Sequence, residues 1–249
     1  FFAMSPETQQ KLLRVPFVQH KKKFIEEFFP KAGTCFDILA LHLNTGYENI
    51  AATVNWFQKQ MKRSDYRKPI WSEDTSSGPV LDEPSYGPEG REKLEALRQG
   101  NAGTLRWFKE EQAKLLVKKT VIAFASGVDK VFISGDIDWF NYYLPIWRHM
   151  GLLDVEGNPK PAYYSFKTMV NRIDGFTGVE RVTLPGDVYA YRFTKPSGIV
   201  YVLWSEREKI IELPVKSGKI TVTDISGNQS QASPSNLHVN SSPIFVEVK

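Results

Sequence analysis

Three short apolar runs, each ending in polar or acidic side chains, constrain the fold of this chain more than any other feature. The first, Phe36-Asp37-Ile38-Leu39-Ala40-Leu41-His42-Leu43-Asn44, is nearly continuous in apolar residues. The second, Lys68-Pro69-Ile70-Trp71-Ser72-Glu73-Asp74-Thr75-Ser76-Ser77-Gly78-Pro79, is entered through a proline and left through hydroxyls and glycine. The third, Val128 to Ile133, stops at Ser134, Asp136 and Asp138 beside Trp139. Runs of this kind without strict alternation read as strands of a parallel sheet, buried on both faces. Between the first two, Tyr47 to Arg63 sets Ile50, Val54, Phe57 and Met61 at helical spacing, so strand, helix and strand make a βαβ unit. Between the second and third lies a long loop through Pro79, Pro84, Gly87, Pro88 and Gly90, with a short helix expected over Arg91 to Gln99. A long helix follows, capped by Thr104 and stopped near Ser126 by Gly127, with Leu105, Phe108, Leu115, Leu116, Ile122 and Ala123 as its inner face.

The flanks fit the same series. Phe1 to Met4 reads as a strand end, and Ser5-Pro6-Glu7 as the capped start of a helix to about Leu13. Pro16 to Phe29 carries Phe17, Phe24, Ile25, Phe28 and Phe29 on one predicted helical face, ended by Pro30 and Gly33. Helical spacing returns at Ala162, Phe166, Met169, Val170 and Ile173. Near Gly175 to Gly178 the period changes to two. Val188 to Phe193, Ile199 to Trp204, Ile210 to Leu213, Ile220 to Thr223 and Ile244 to Val248 become short strands between Gly, Pro, Ser and Asn clusters. The prediction is an α/β part over residues 1–177 and a small all-β module, a β-sandwich, over residues 178–249.

Composition removes several classes of function. The chain has 249 residues, 41% of them hydrophobic and 24% charged, ordinary values for a globular chain with a sizeable core. A net charge of +4 is mild and scattered; the densest basic patch, His20-Lys21-Lys22-Lys23, reads as a solvated helix face, so no nucleic-acid partner is expected. No apolar run approaches the ~20 residues that span a bilayer, and no membrane partner is expected. Cys35 is the only cysteine, which excludes an intrachain disulfide and a cysteine-based metal site. His42, Glu73 and the aspartates lack a tight ligand spacing, so neither a metal nor a tightly bound cofactor is expected. Asn228-Gln229-Ser230 and Asn240-Ser241-Ser242 match the short glycosylation pattern and carry little weight. The chain opens Phe-Phe-Ala-Met rather than with methionine, and the expectation is that something upstream has been removed, is disordered or belongs to another chain.

Glu73 and Asp74 stand where the second run stops. Acids at the carboxyl end of a buried strand are costly to desolvate, and α/β folds place them in the open mouth where chemistry happens. The plain alternative is that they cap a turn or pair with a basic neighbour.

Taken in order, the elements resemble the second half of a (β/α)8 TIM-barrel glycoside hydrolase with an appended β domain. The resemblance rests on Asp37 to His42, Lys68-Pro69-Ile70-Trp71 leading into Glu73, Gly127 to Phe132, Gly151-Leu152-Leu153-Asp154, and Pro159-Lys160-Pro161-Ala162-Tyr163-Tyr164. These look like strands six to eight of the retaining glycosidases of clan A, nearest to the family of β-xylosidases and iduronidases. The likeness covers Phe36 to Phe176 closely and the β module in outline. It implies a half barrel acting on β-linked oligo- or polysaccharide, with Glu73 as nucleophile. In the family the glutamate lies three residues after the aromatic that follows Pro-Ile, and that register falls on Asp74. Glu73 with one residue lost from the strand, and Asp74 with its shorter arm, stand as alternatives. His42 and Asn44 would hydrogen-bond the nucleophile or a sugar hydroxyl, or serve structure alone. Trp139 would offer a sugar-stacking face, and Asp136 and Asp138 would bind hydroxyls or cap a turn. The segment that carries the family's acid/base glutamate, after strand four, has no counterpart here. The expected partners are therefore a carbohydrate substrate and a missing barrel half, in the same or another chain, or a second copy forming a homo-oligomer. The rival expectation is a noncatalytic carbohydrate-binding or self-associating half-barrel protein.

Overall fold

A computed structural model describes residues 16–81, 86–139, 146–216 and 218–248, with side chains from residue 23 onward. The predicted elements before Pro16 lie outside the described residues. The chain divides into two compact units, Phe1–Thr75 with Ile122–Ile133, and Ser76–Val121 with Ser134–Lys249.

In the first unit, helix α1 (Pro16–Ala32) precedes strand β1 (Leu39–His42), helix α2 (Tyr47–Arg63), strand β2 (Ile70–Thr75) and strand β3 (Lys130–Ile133). The strands form a parallel sheet in the order β1-β2-β3. Helix α2 occupies the predicted span, and Ile50, Val54 and Met61 are buried as its spacing requires. Helix α1 departs from expectation: it runs through Pro30 to Ala32, because Phe29 and Ala32, each 3% exposed, share a buried face that the last turn extends. Phe24 and Phe28, predicted to face inward, are instead 60% and 40% exposed and stack on each other with ring centroids 5.7 Å apart.

The sheet corrects a second expectation. Its strands are buried on one face rather than two. Leu41, Ile70 and Ser72 are buried, whereas Ala40, His42, Glu73, Lys130 and Phe132 are exposed, the period-two alternation of a half-covered sheet. On the open face Trp71 and Phe132 lie 5.9 Å apart, and Lys130 Nζ sits 4.4 Å over the Trp71 ring.

The second unit contains helix α3 (Gly87–Arg98), most of helix α4 (Ala102–Ala125), a 3₁₀ turn at Trp147–His149 and helix α5 (Pro161–Ile173). Helix α3 starts four residues before the predicted Arg91. Asn101 rather than Thr104 caps α4, its Oδ1 accepting the Thr104 amide at 2.9 Å. The predicted apolar face of α4 is buried apart from the half-buried Leu105. Gln112, Lys118 and Lys119 are buried as well, at 0%, 1% and 1% exposure. Lys118 Nζ donates to Glu206 at 2.8 Å. Lys119 Nζ donates to the Ser76 carbonyl and hydroxyl, each at 3.0 Å, while Gln112 Nε2 donates to Ser77 Oγ at 2.8 Å and to the Met150 carbonyl at 2.9 Å. One face of α4 thus cradles residues 76–78. Lys119→Met is expected to remove two buried hydrogen bonds from a charged donor and lower stability by ~2–4 kcal/mol in a denaturant titration, against less than ~0.5 kcal/mol for the exposed Lys59→Met.

The rest of this unit is β structure. An antiparallel sheet of order β4-β5-β6-β11-β8-β9 is built from β4 (Gly178–Arg181), β5 (Tyr189–Lys195), β6 (Gly198–Trp204), β8 (Ile220–Asp224), β9 (Gln229–Ala232) and β11 (Ile244–Val248). A separate pair joins β7 (Lys209–Ile211) to β10 (Leu237–Val239). Residues of both, among them Leu203, Ile211, Leu237 and Val246, share one buried cluster. Trp204 is stacked between Tyr189 and Tyr191, at 5.0 and 5.4 Å. Burial pushes the Tyr191 hydroxyl up to about 12; nearby Arg181 opposes this shift and Tyr189 adds to it. A raised folded-state value stabilises fully below the unfolded tyrosine value of ~10, and that contribution is lost as pH climbs from there to about 12. Denaturant midpoints at pH 9 and 11.5 should therefore fall further for the native chain than for Tyr191→Phe.

Among the described residues no helix is long and apolar enough to cross a membrane.

Candidate active site

Strand β2 carries one residue more than both its neighbours. Leu41 pairs with Ser72, but the next β1 residue, His42, pairs with Asp74; likewise Ser72 and Thr75 pair with Val131 and Ile133. The extra residue is a β-bulge at Glu73, and a bulge re-aims the side chains around it. Ser72 and Thr75, three positions apart, both reach the buried face at 0% and 1% exposure, and their hydroxyls bond each other. Glu73 and Asp74 both leave on the open side.

There they meet the end of β1. His42 Nε2 lies 3.0 Å from Glu73 Oε1, and Nδ1 of the same ring lies 3.5 Å from Asp74 Oδ2. Asn44 Nδ2 donates to Asp74 Oδ2 at 3.0 Å, and the Leu43 amide donates to the Asp74 carbonyl at 2.9 Å, extending the ladder past the bulge. One imidazole therefore bridges two carboxylates. With its proton on Nε2 the ring donates to Glu73 and orients it, while the longer Nδ1 contact to Asp74 is a charge approach rather than a hydrogen bond. Glu73 remains the more open acid, with its side chain 55% exposed against 31% for Asp74. The arrangement offers an oriented, solvent-reachable carboxylate beside a second one held by an amide.

Four of the residues singled out by sequence, His42, Asn44, Glu73 and Asp74, are brought together in the first unit. Asp136 and Trp139 belong to the second. Asp136 is exposed and its Oδ1 accepts the amide of Ile137 at 2.8 Å, a local turn contact. Trp139 is 46% exposed. Asp138 is a structural pin: its Oδ1 accepts Lys160 Nζ at 2.7 Å and the Gly151 amide at 2.9 Å. Lys160 also donates to the His149 carbonyl at 2.7 Å. Burial lowers the Lys160 ammonium from its ordinary range, and the bond and charge of Asp138 pull it back. Sequence reading missed this pair, although a signal existed. Lys160 precedes the first turn of α5, where the helix dipole disfavours a cation, so a buried acid partner was implied.

Among the described residues no group of three or more His, Cys, Asp or Glu side chains is placed to hold a metal ion. No protein-family model and no curated protein matches the chain. Among solved structures, the chain is similar to a family 39 glycoside hydrolase from the gut symbiont Bacteroides cellulosilyticus WH2. That likeness has a TM-score of 0.65 and 16% identity, over 91% of this chain and 47% of the other. It is also similar to a β-porphyranase of glycoside hydrolase family 86 from the human gut bacterium Bacteroides plebeius, with a TM-score of 0.53 and 13% identity over 94% and 45%. The chain spans less than half the length of either protein. At such identities the likeness is one of fold, and the fold is that of part of a glycoside hydrolase.

Proposed function

We propose that this chain is the nucleophile-bearing part of a retaining glycoside hydrolase acting on β-linked oligo- or polysaccharide. The observation that carries this reading is the bulged end of β2, which sets Glu73 on the open side of a parallel sheet with His42 3.0 Å from its carboxylate. Retention requires a carboxylate that attacks the anomeric carbon and a second group, ~5–5.5 Å away, that protonates the leaving oxygen. In this reading Glu73 attacks, Asp74 and His42 position it, and Asn44 steadies Asp74. The proton donor comes from a complementary barrel half, in the same or another chain. Two exposed apolar surfaces support that division: the open sheet face, where Phe132 is 47% exposed, and the α1 face bearing Phe24 and Phe28. A closed barrel would cover both. Trp139 and Asp136 are assigned to sugar contacts.

Light scattering combined with hydrolysis of aryl β-glycosides tests the reading. Turnover should accompany a particle heavier than 28.4 kDa, the mass of this chain alone. Oligosaccharide binding without turnover in every assembled state would instead establish the noncatalytic function.

A further inference from the structure

The first unit holds a concavity lined by the end of α2, the approach to β2 and the residues before β3, so it sits at the opposite end of the sheet from Glu73. Its volume is about 820 Å³, within the range of small-molecule sites. The polar lining includes Lys62, Asp65, Arg67, Lys68 and Asp129, with the ring of Tyr66 among them, and Gln58, whose Nε2 donates to the Ser126 carbonyl at 2.9 Å.

Several of these groups are already committed. Asp129 Oδ2 accepts the Ile70 amide at 2.8 Å, which fixes the carboxylate in place and leaves its charge among the lining groups. Lys68 Nζ lies 6.0 Å over the Phe36 ring. Tyr66 is locked: its hydroxyl donates to the Phe29 carbonyl at 3.0 Å and its ring stacks on Phe29 with planes 2° apart. The side chains of Lys62 and Arg67 make no hydrogen bond or ion pair among the described residues, and both are exposed. Two uncommitted cations thus face a concavity beside a fixed ring.

Asp65 adds a second kind of group. It ends α2 at φ +59°, with its amide on the Lys62 carbonyl at 3.2 Å. Glycine takes this left-handed position at least cost, so an aspartate there costs stability and sets a carboxylate at the rim. Guanidinium and ammonium groups suit an oxyanion, whereas a free carboxylate accepts from hydroxyls. A ligand satisfying both carries an oxyanion and several hydroxyls on one small body.

We propose that this pocket binds an acidic saccharide, its carboxylate or sulfate held by Lys62 and Arg67 and its hydroxyls by Asp65. The site stands apart from the strand-end chemistry and does not depend on it. Titration of the 249-residue chain with methyl β-D-glucuronide, followed by calorimetry or amide shifts, should give saturable binding with a Kd of about a millimolar, weakened by added salt. Methyl β-D-glucoside, which lacks the carboxylate, should not bind. The double variant Lys62→Gln, Arg67→Gln should weaken the glucuronide by at least about tenfold. Both positions are exposed, so an unchanged thermal midpoint certifies the fold. Asp65→Gly should weaken the glucuronide while leaving inorganic sulfate binding intact. Glu73→Gln should leave the glucuronide isotherm unchanged.

Equal affinity of the native chain and the double variant, or no saturable binding at all, overturns the proposal. Inorganic sulfate binding as tightly as the glucuronide, with Asp65→Gly silent, reduces the pocket to a bare oxyanion site and overturns the saccharide assignment. Loss of glucuronide binding in Glu73→Gln alone places the ligand at the strand end and likewise overturns it, without touching the hydrolase reading.

Discussion

Lys160→Met is expected to lower the stability of the chain by ~3–5 kcal/mol, the cost of leaving one charge of a buried pair uncompensated. Asp138 and Lys160 are 7% and 2% exposed, so water cannot readily replace the lost ammonium. The variant also strands the His149 carbonyl, which accepts from the same Nζ. Chemical denaturation at neutral pH measures the loss. Asp138→Asn combined with Lys160→Met should recover part of it, because the amide still accepts the Gly151 amide proton and no buried charge remains. Equal stability of the single and double variants would mean that packing of the lysine stem, rather than the charge, sustains the segment.

The pair illustrates which parts of the fold are legible in sequence. Helix α2 could be read to its last residue because four apolar positions repeat at helical spacing between a glycine and a polar turn. Helix α1 could not, since Pro30 signals a stop locally whereas Phe29 and Ala32 gain burial by continuing the turn. Strand β9, Gln229-Ser230-Gln231-Ala232, has no apolar alternation, and only its pairing with β8 defines it. The same limit hides the polar face of α4, where Gln112 and Lys119 look like solvent residues until residues 76–78 pass beneath them. In the first unit the apolar runs predicted parallel strands correctly, but not that one face of the sheet stands open. Composition cannot distinguish a strand covered twice from one whose second cover is elsewhere.

The candidate site was legible in kind and not in register. Counting along Lys68 to Thr75 leaves Glu73 and Asp74 on opposite sides of an ideal strand, so one of the two would have to be buried. The bulge removes that choice. Its sequence trace is weak: hydroxyls at Ser72 and Thr75, spaced by three, which can bond each other on the buried side only if the strand takes up an extra residue.

Because both acids share the open side, their roles separate in kinetics rather than in geometry. On the proposed reading, Glu73→Gln in the assembled, active protein lowers kcat by at least about 10³-fold, ~4 kcal/mol of transition-state stabilisation. Asp74→Asn should cost far less, about tenfold, because the amide oxygen still accepts from Asn44 and only the charge facing His42 is lost. Azide decides the assignment. In Glu73→Ala the vacated space admits azide, which attacks the anomeric carbon as the aryl leaving group departs and yields a glycosyl azide of inverted configuration. Rescue confined to Glu73→Ala identifies Glu73 as the nucleophile. Rescue confined to Asp74→Ala transfers the role to Asp74, and the bulge then serves to advance the shorter acid rather than to free the longer one. Turnover insensitive to both substitutions excludes the β2 end from the chemistry altogether.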